Sequence, residues 1–189
     1  MDVKLSKKKF MEINYNNYEE LASTTCKDLE NEEANILHMK MGILTEAAEV
    51  IDILKKKHAY SKEIEVPHLK EELGDILWYA ANYCKFVEMD FANVIDNIGY
   101  QPLYDRSADF SLYELMELII INSTALDVNS IYDVIDLTLY AIEQIDSSLD
   151  EILSTNIKKL AARYPEGFSS YYALNRNLDA EKKIINGQQ

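Results

Sequence analysis

The chain is poor in the residues that break helices. It carries three prolines and five glycines in 189 residues, and no stretch alternates apolar and polar residues over a useful strand length, which leaves a mainly helical chain. Cysteine is also scarce. Cys26 and Cys84 form no spaced cluster, and the three histidines (His38, His58, His68) are scattered, so neither a zinc site nor a disulfide framework is signalled and a reducing setting is expected. No window approaches the roughly 18 consecutive apolar residues of a membrane span. The opening "MDVKLSKKKFMEINY" has lysines without an apolar core, so a soluble, unexported, cytoplasmic protein with no membrane partner is expected. The last shortage is positive charge: 19 basic against 33 acidic residues, 19 − 33 = −14. Such a surface repels phosphate polymers, and a nucleic-acid polymer is excluded as partner. A small anionic substrate stays open, provided that metal ions neutralise it where it binds.

What the chain has in quantity is Leu, Ile, Ala, Glu and Lys, good helix formers. Periodicity with start and stop signals predicts a helix over about 17–33, a second over about 35–58 and a third from Pro67 to about 88. Asp90 caps a short fourth helix ending at Gly99. After the loop "GYQPLYDRSADF", three helices follow, opened by Ser111, Ser130 and Ser148 with Glu114, Asp133 and Glu151 at or near capping-box spacing. "RYPEGF" stops the last of them, and a mostly polar tail closes the chain. The expectation is one all-α domain over 1–189, an antiparallel helical bundle. There is also an internal echo: "DILWYA" at 75–80 recurs as "DLTLYA" at 136–141, an offset of 136 − 75 = 61 that also carries Glu72 onto Asp133. Either the second half is a degenerate copy without the acids of the first, or two short apolar helices match by chance.

Those acids pose the functional question. "GILTEAAEVIDIL" places Glu46 and Glu49 among Gly42, Ile43, Val50 and Ile53, and residues three apart share a helix face. "HLKEELGDILWYAANY" repeats the spacing with Glu72 and Asp75, followed on that face by Ile76, Trp78, Tyr79 and Asn82. Carboxylates on apolar faces lose hydration and repel one another unless a cation or hydrogen-bond donors compensate. Two helices joined by a short loop pack antiparallel, which brings the pairs together as a nest of four, with Gly74, Ala47 and Ala48 permitting close approach. Oxygen-only ligands at this density suit Mg²⁺ or Mn²⁺. The bland alternative is two solvated helix faces.

The same residues resemble a known family. Glu46-x-x-Glu49 followed by "EELGDILWY" (Glu71 to Tyr79) is similar to the signature of the MazG-like all-α nucleoside triphosphate pyrophosphohydrolases. "NIKKLAARYPEGF" (Asn156 to Phe168) resembles a segment near the C-terminal end of many members, and "NNYEELASTT" resembles their opening helix. The resemblance implies Mg²⁺-dependent hydrolysis of a nucleoside triphosphate, often a deoxynucleotide, to the monophosphate and pyrophosphate. It implies Mg²⁺ held by Glu46, Glu49, Glu72 and Asp75, with Glu46 or Glu49 as proton acceptor. Nucleotide contacts are implied at Asn156 and Lys159, and more weakly at Arg163 and Tyr164. It divides the chain into catalytic helices (about 15–98), inserted helices (about 99–147), a nucleotide-contact motif (about 148–170) and the tail (about 171–189). The insertion departs from compact members, in which the last motif follows after one short helix. A homodimer or higher homo-oligomer is expected, since compact members pair protomers; a real internal repeat would instead let a monomer pair its own halves.

Remaining candidates have two readings each. Trp78 stacks on a base or belongs to the core; Asn82 contacts base or ribose, or is a surface amide; Lys55–Lys57 bind phosphate or simply favour a helix C-terminus. The histidines are expected to have no role. Alternatives to the leading reading are a pyrimidine-specific enzyme like the dimeric dUTPases and dCTPases, and a non-enzymatic interaction protein on the same scaffold.

Overall fold

Side-chain caps set most helix starts. The computed structural model describes residues 12–188; the expectation about the lysine-rich start falls largely on residues 1–11, outside the described residues. Asn14 opens α1 (Tyr15–Ser23) with a reciprocal capping box completed by Asn17, and Asn31 opens α2 (Glu32–Tyr60), its side chain accepting from the Ala34 N–H at 2.9 Å. Pro67 lies in the first turn of α3 (Val66–Phe86), where a missing N–H costs nothing. Asp90 caps α4 (Phe91–Tyr100), accepting from Ala92 and Asn93 N–H at 2.9 and 3.2 Å. Ser111 and Glu114 close the full box at α5 (Leu112–Thr124). There follow α6 (Ser130–Gln144), α7 (Leu149–Arg163), the short α8 (Ser170–Leu174) and α9 (Leu178–Ile185). The described residues are all-helical, with one isolated bridge between Pro165 and Gly167.

Four expectations about helix ends, caps and the tail need correction. The first helix ends at Ser23 rather than near residue 33. The Thr24 and Thr25 hydroxyls donate to the Leu21 and Ala22 carbonyls at 2.7 and 2.9 Å, satisfying the orphan acceptors that would otherwise continue the helix. Ser130 is not a cap. It sits inside α6 after Asn129, and its hydroxyl accepts from the Asp127 N–H at 2.8 Å. Ser148 closes half a box, since the Glu151 carboxylate turns to the Lys70 ammonium at 2.6 Å. The polar tail is folded into α8 and α9, because Asn177 caps α9 and the buried Glu181 finds two arginines.

Contacts fix the helix directions. Along α2, Gly42, Glu46 and Glu49 meet Tyr79, then Glu72 and Asp75, then His68 and Glu72 of α3; rising numbers meet falling ones, so the two helices run antiparallel. Along α7, Glu151, Ile152 and Asn156, and Lys159 meet Lys70, Gly74 and Asp75 of α3 in ascending order, so α3 and α7 are parallel. Gly74 therefore serves α7, not α2 as the sequence suggested. A Cβ there would lie 3.3 Å from the Asn156 Cβ. The inserted pair packs on the first pair, α5 on α2 and α6 on α3. Ile43, Val50, Leu73, Ile76 and Leu77 from the first pair share the core with Leu115, Ile119, Val134 and Leu137 from the second, all fully buried. Side chains of this size contribute roughly 1.5–3 kcal/mol each when buried. The bundle thereby holds α2 and α3 rigidly while their opposite face opens to a cleft.

Candidate active site

The cleft has a volume of about 530 Å³ and an acidic wall formed by Glu46, Glu49, Glu71, Glu72 and Asp75. The antiparallel pairing brings both expected carboxylate pairs to this one place. One carboxylate oxygen from each of Glu46, Glu72 and Asp75 falls within 4.8 Å of the others, and Glu49, His68 and Glu72 form a second such group that shares Glu72. Glu72 is buried, 4 % exposed, while Glu49 is open to solvent. Burial, followed by the Asp75 charge, pushes the Glu46 carboxyl up to about 7 and that of Glu72 up to about 9. Both shifts have the same causes, burial first and the neighbouring negative charges second.

Three side chains hold the acids in place from behind. The Asn156 Nδ2 donates to Asp75 Oδ1 at 2.6 Å, and the Lys159 ammonium donates to Asp75 Oδ2 at 2.5 Å and to Glu71 Oε1 at 3.3 Å. The Tyr18 hydroxyl donates to Asn156 Oδ1 at 2.9 Å, which fixes the amide so that its nitrogen faces Asp75. Burial alone would lower the Lys159 pKa, but Asp75 and Glu71 outweigh it and raise it. Asn156 and Lys159 are 4 % and 1 % exposed and do not belong to the cleft wall. The resemblance led us to expect them on the nucleotide; here every polar atom they direct toward the site goes to its acids. Gly74 makes this possible by letting Asn156 approach α3.

The other walls are aromatic and basic. Trp78, Tyr79, Tyr164 and Phe168 line them together with Lys27, His38, Arg163 and Arg176. The Trp78 indole N–H donates to the Ala22 carbonyl and the Thr25 hydroxyl, both at 3.1 Å, so the ring is anchored to the end of α1 and stays mostly buried. Tyr79 stands edge-on to Trp78 and to His38, with centroids 4.9 and 5.9 Å apart. It crosses α2 at Gly42, where a Cβ would fall 2.2 Å from the ring. Tyr164 and Phe168 sit 5.5 Å apart at either side of a turn in which Gly167 has φ +87 and the Phe168 N–H donates to the Thr24 carbonyl at 3.1 Å.

Asn82 lies elsewhere. Its side chain is buried and donates to the Trp78 carbonyl at 2.9 Å, so it is no surface amide, and it is not among the residues that line the cleft. Lys55 and Lys56 pair with Asp52 on the surface of α2, and of the three lysines only Lys57 lies in the last turn, because the helix runs on to Tyr60. His68, expected to have no role, places Nε2 at 2.7 Å from Glu72 Oε1; the spacing of four between them on α3 was the signal for it. His38, Lys27, Phe168 and Arg176 carried no such local signal. The positions related by the 61-residue offset are used differently. Asp136 accepts from the Leu103 and Tyr104 N–H groups at 2.7 and 3.0 Å and from Arg106, and Asp133 accepts from the Tyr104 hydroxyl at 3.0 Å. Residues of the loop 101–110 thus occupy both acids.

Fold and cleft together define an all-α bundle with an acidic centre carried by two antiparallel helices. Residues 34–99, which span most of α2, all of α3 and most of α4, match the family model of the MazG nucleotide pyrophosphohydrolase domain. This segment is MazG-like, as its motifs implied. No curated protein and no solved structure gives a match to the chain. Among the described residues, no helix is long and apolar enough to cross a membrane.

Proposed function

We propose that this protein hydrolyses a nucleoside triphosphate, a deoxynucleotide in the first instance, to the monophosphate and pyrophosphate, with Mg²⁺ (or Mn²⁺) held by Glu46, Glu49, Glu72 and Asp75. The observation that carries this reading is the convergence of these acids from α2 and α3 on one cleft, their oxygens within 4.8 Å of one another in two overlapping groups. The donor set fits hard divalent ions, being mainly carboxylate oxygen, and the raised Glu46 and Glu72 carboxyls show a charge excess that such a cation relieves. A divalent cation bound there would screen the phosphates and lower the pKa of a bound water.

The chain's own groups supply the rest. Glu46, raised toward neutrality by burial and Asp75, or the solvent-facing Glu49 accepts the proton of the attacking water. The water oxygen bonds to a phosphorus at the α–β bridge as the bridging P–O bond breaks, and the electron pair leaves with pyrophosphate or with the monophosphate. Asn156 and Lys159 act as positioning residues that fix Asp75. Trp78, Tyr79, Tyr164 and Phe168 offer flat apolar surface to a base and sugar. The test is a pyrophosphate-release screen of the common NTPs and dNTPs plus dUTP with Mg²⁺. Release from at least one, lost in Glu49→Gln and Asp75→Asn, supports the reading; absence of release from all of them, or full activity in both variants, sinks it. A preference confined to dUTP or dCTP would select the pyrimidine-specific form of the same reading.

A further inference from the structure

The C-terminal helix contributes to the cleft through a residue that does not line it. Arg163 ends α7 and Arg176 lies between α8 and α9, and both residues line the cleft. One carboxylate holds the two of them. Arg163 donates from Nε to Glu181 Oε1 at 3.2 Å and from Nη2 to Oε2 at 2.5 Å. Arg176 repeats the fork, with Nε at 3.4 Å from Oε1 and Nη2 at 2.6 Å from Oε2. Glu181 is 2 % exposed. Burial alone would raise its carboxyl, but the hydrogen bonds from Arg163 and Arg176 outweigh burial and leave it below its ordinary range. It is therefore a fixed counter-ion for both arginines. Two cations against one anion leave a net positive charge at this wall, and each guanidinium keeps its Nη1 edge unused by Glu181.

That geometry has a use in a chain of net charge −14. A polyphosphate entering the cleft meets five carboxylates on one wall, and among the described residues the cations that line the cleft besides its histidines are Lys27, Arg163 and Arg176. We propose that Arg163 and Arg176 form an anion subsite for the end of the triphosphate that leaves as pyrophosphate, and that Glu181, from α9, is its positioning residue. This rests on the pyrophosphohydrolase reading above. It also makes α9, which falls in what reads as a polar tail (about 171–189), a working part of the site.

The experiment measures binding of inorganic triphosphate with Mg²⁺ to the full chain by calorimetry, beside nucleotide hydrolysis kinetics, for wild type, Arg176→Gln and Glu181→Gln. The Arg176 side chain is 41 % exposed, so its replacement leaves the fold intact. Arg176→Gln is expected to weaken triphosphate binding about tenfold, as loss of a charge-assisted contact does, and to raise KM with kcat largely kept. Glu181→Gln adds one positive charge to the site, yet the positioning role predicts weaker triphosphate binding and a raised KM. Unchanged or tighter binding in Glu181→Gln overturns that role, and unchanged binding in Arg176→Gln overturns the subsite. Triphosphate binding is read without turnover, which separates the two claims. A chain that hydrolyses nothing but loses triphosphate affinity in Arg176→Gln keeps the subsite and sinks the activity. A chain that hydrolyses nucleotides and shows no change in Arg176→Gln does the reverse.

Discussion

Glu46 and Glu72 show at the scale of single residues why the site needs a cation. Their carboxyls are raised from the ordinary 4.5 to about 7 and about 9 by burial and by Asp75. Between about pH 4.5 and those values the folded chain binds more protons than the unfolded one, so metal-free stability falls as pH rises through this window. The depressed carboxyl of Glu181 is already ionised there and does not oppose the trend. Thermal unfolding in chelator is expected to give a Tm that declines from about pH 5 to about pH 9, and Mg²⁺ is expected to restore stability most at the alkaline end. A Tm that rises with pH in chelator contradicts the assignment of these two groups. Gly42 is the other decisive single position, since its missing Cβ is the space the Tyr79 ring occupies. Gly42→Ala is expected to cost about 1–3 kcal/mol in denaturant unfolding, the usual range for overpacking, and to lower activity by spreading α2 from α3.

Among the elements, α7 carries the clearest difference between reading and structure. In "NIKKLAARYPEGF" Lys159 reads as one lysine of a solvated face, and the family resemblance directed it to the nucleotide. In the structure it is 1 % exposed and ion-paired with Asp75, 84 positions away in sequence. No local pattern reports a partner on another helix. The pairs Glu46/Glu49 and Glu72/Asp75 were legible because i, i+3 spacing is local and their faces are apolar. His68, expected to have no role, carried the same kind of local signal four residues before Glu72, and that signal was passed over. Gly74 was recognised as a small residue for close approach but assigned to the wrong neighbour, since one position along a helix turns the side chain by about 100°. Lys159→Met is therefore expected to weaken Mg²⁺ dependence, shifting the metal midpoint about 10–100-fold as loss of a ligand's support does, with nucleotide KM at saturating metal little changed. A raised KM with an unshifted metal midpoint would return Lys159 to the substrate.

For the whole molecule, helix class and the starts at Pro67, Asp90, Ser111 and Ser148 were legible, while the Asn14 and Asn31 caps and the folding of the tail were not. Glu181 is an ordinary acid in a polar segment until Arg163 and Arg176 converge on it. The inserted helices α5 and α6 cover α2 and α3 within one chain, and the cleft is lined by residues of that same chain from Thr25 to Arg176. We propose that a single chain suffices for the site. Specific activity is expected to stay constant over about a thousandfold dilution, where a shared site would lose activity as subunits part. Light scattering at the same concentrations reports the assembly itself.

The central claim is that the acids of α2 and α3 make pyrophosphate from a nucleotide with a divalent cation. Its most direct measurement is the product ratio from the best substrate of the screen, for wild type and Asp75→Asn, with and without Mg²⁺. The account predicts equal amounts of nucleoside monophosphate and pyrophosphate from wild type with Mg²⁺, and loss of both products without Mg²⁺ or in Asp75→Asn. Release of orthophosphate with the diphosphate, or undiminished turnover by Asp75→Asn, would contradict it.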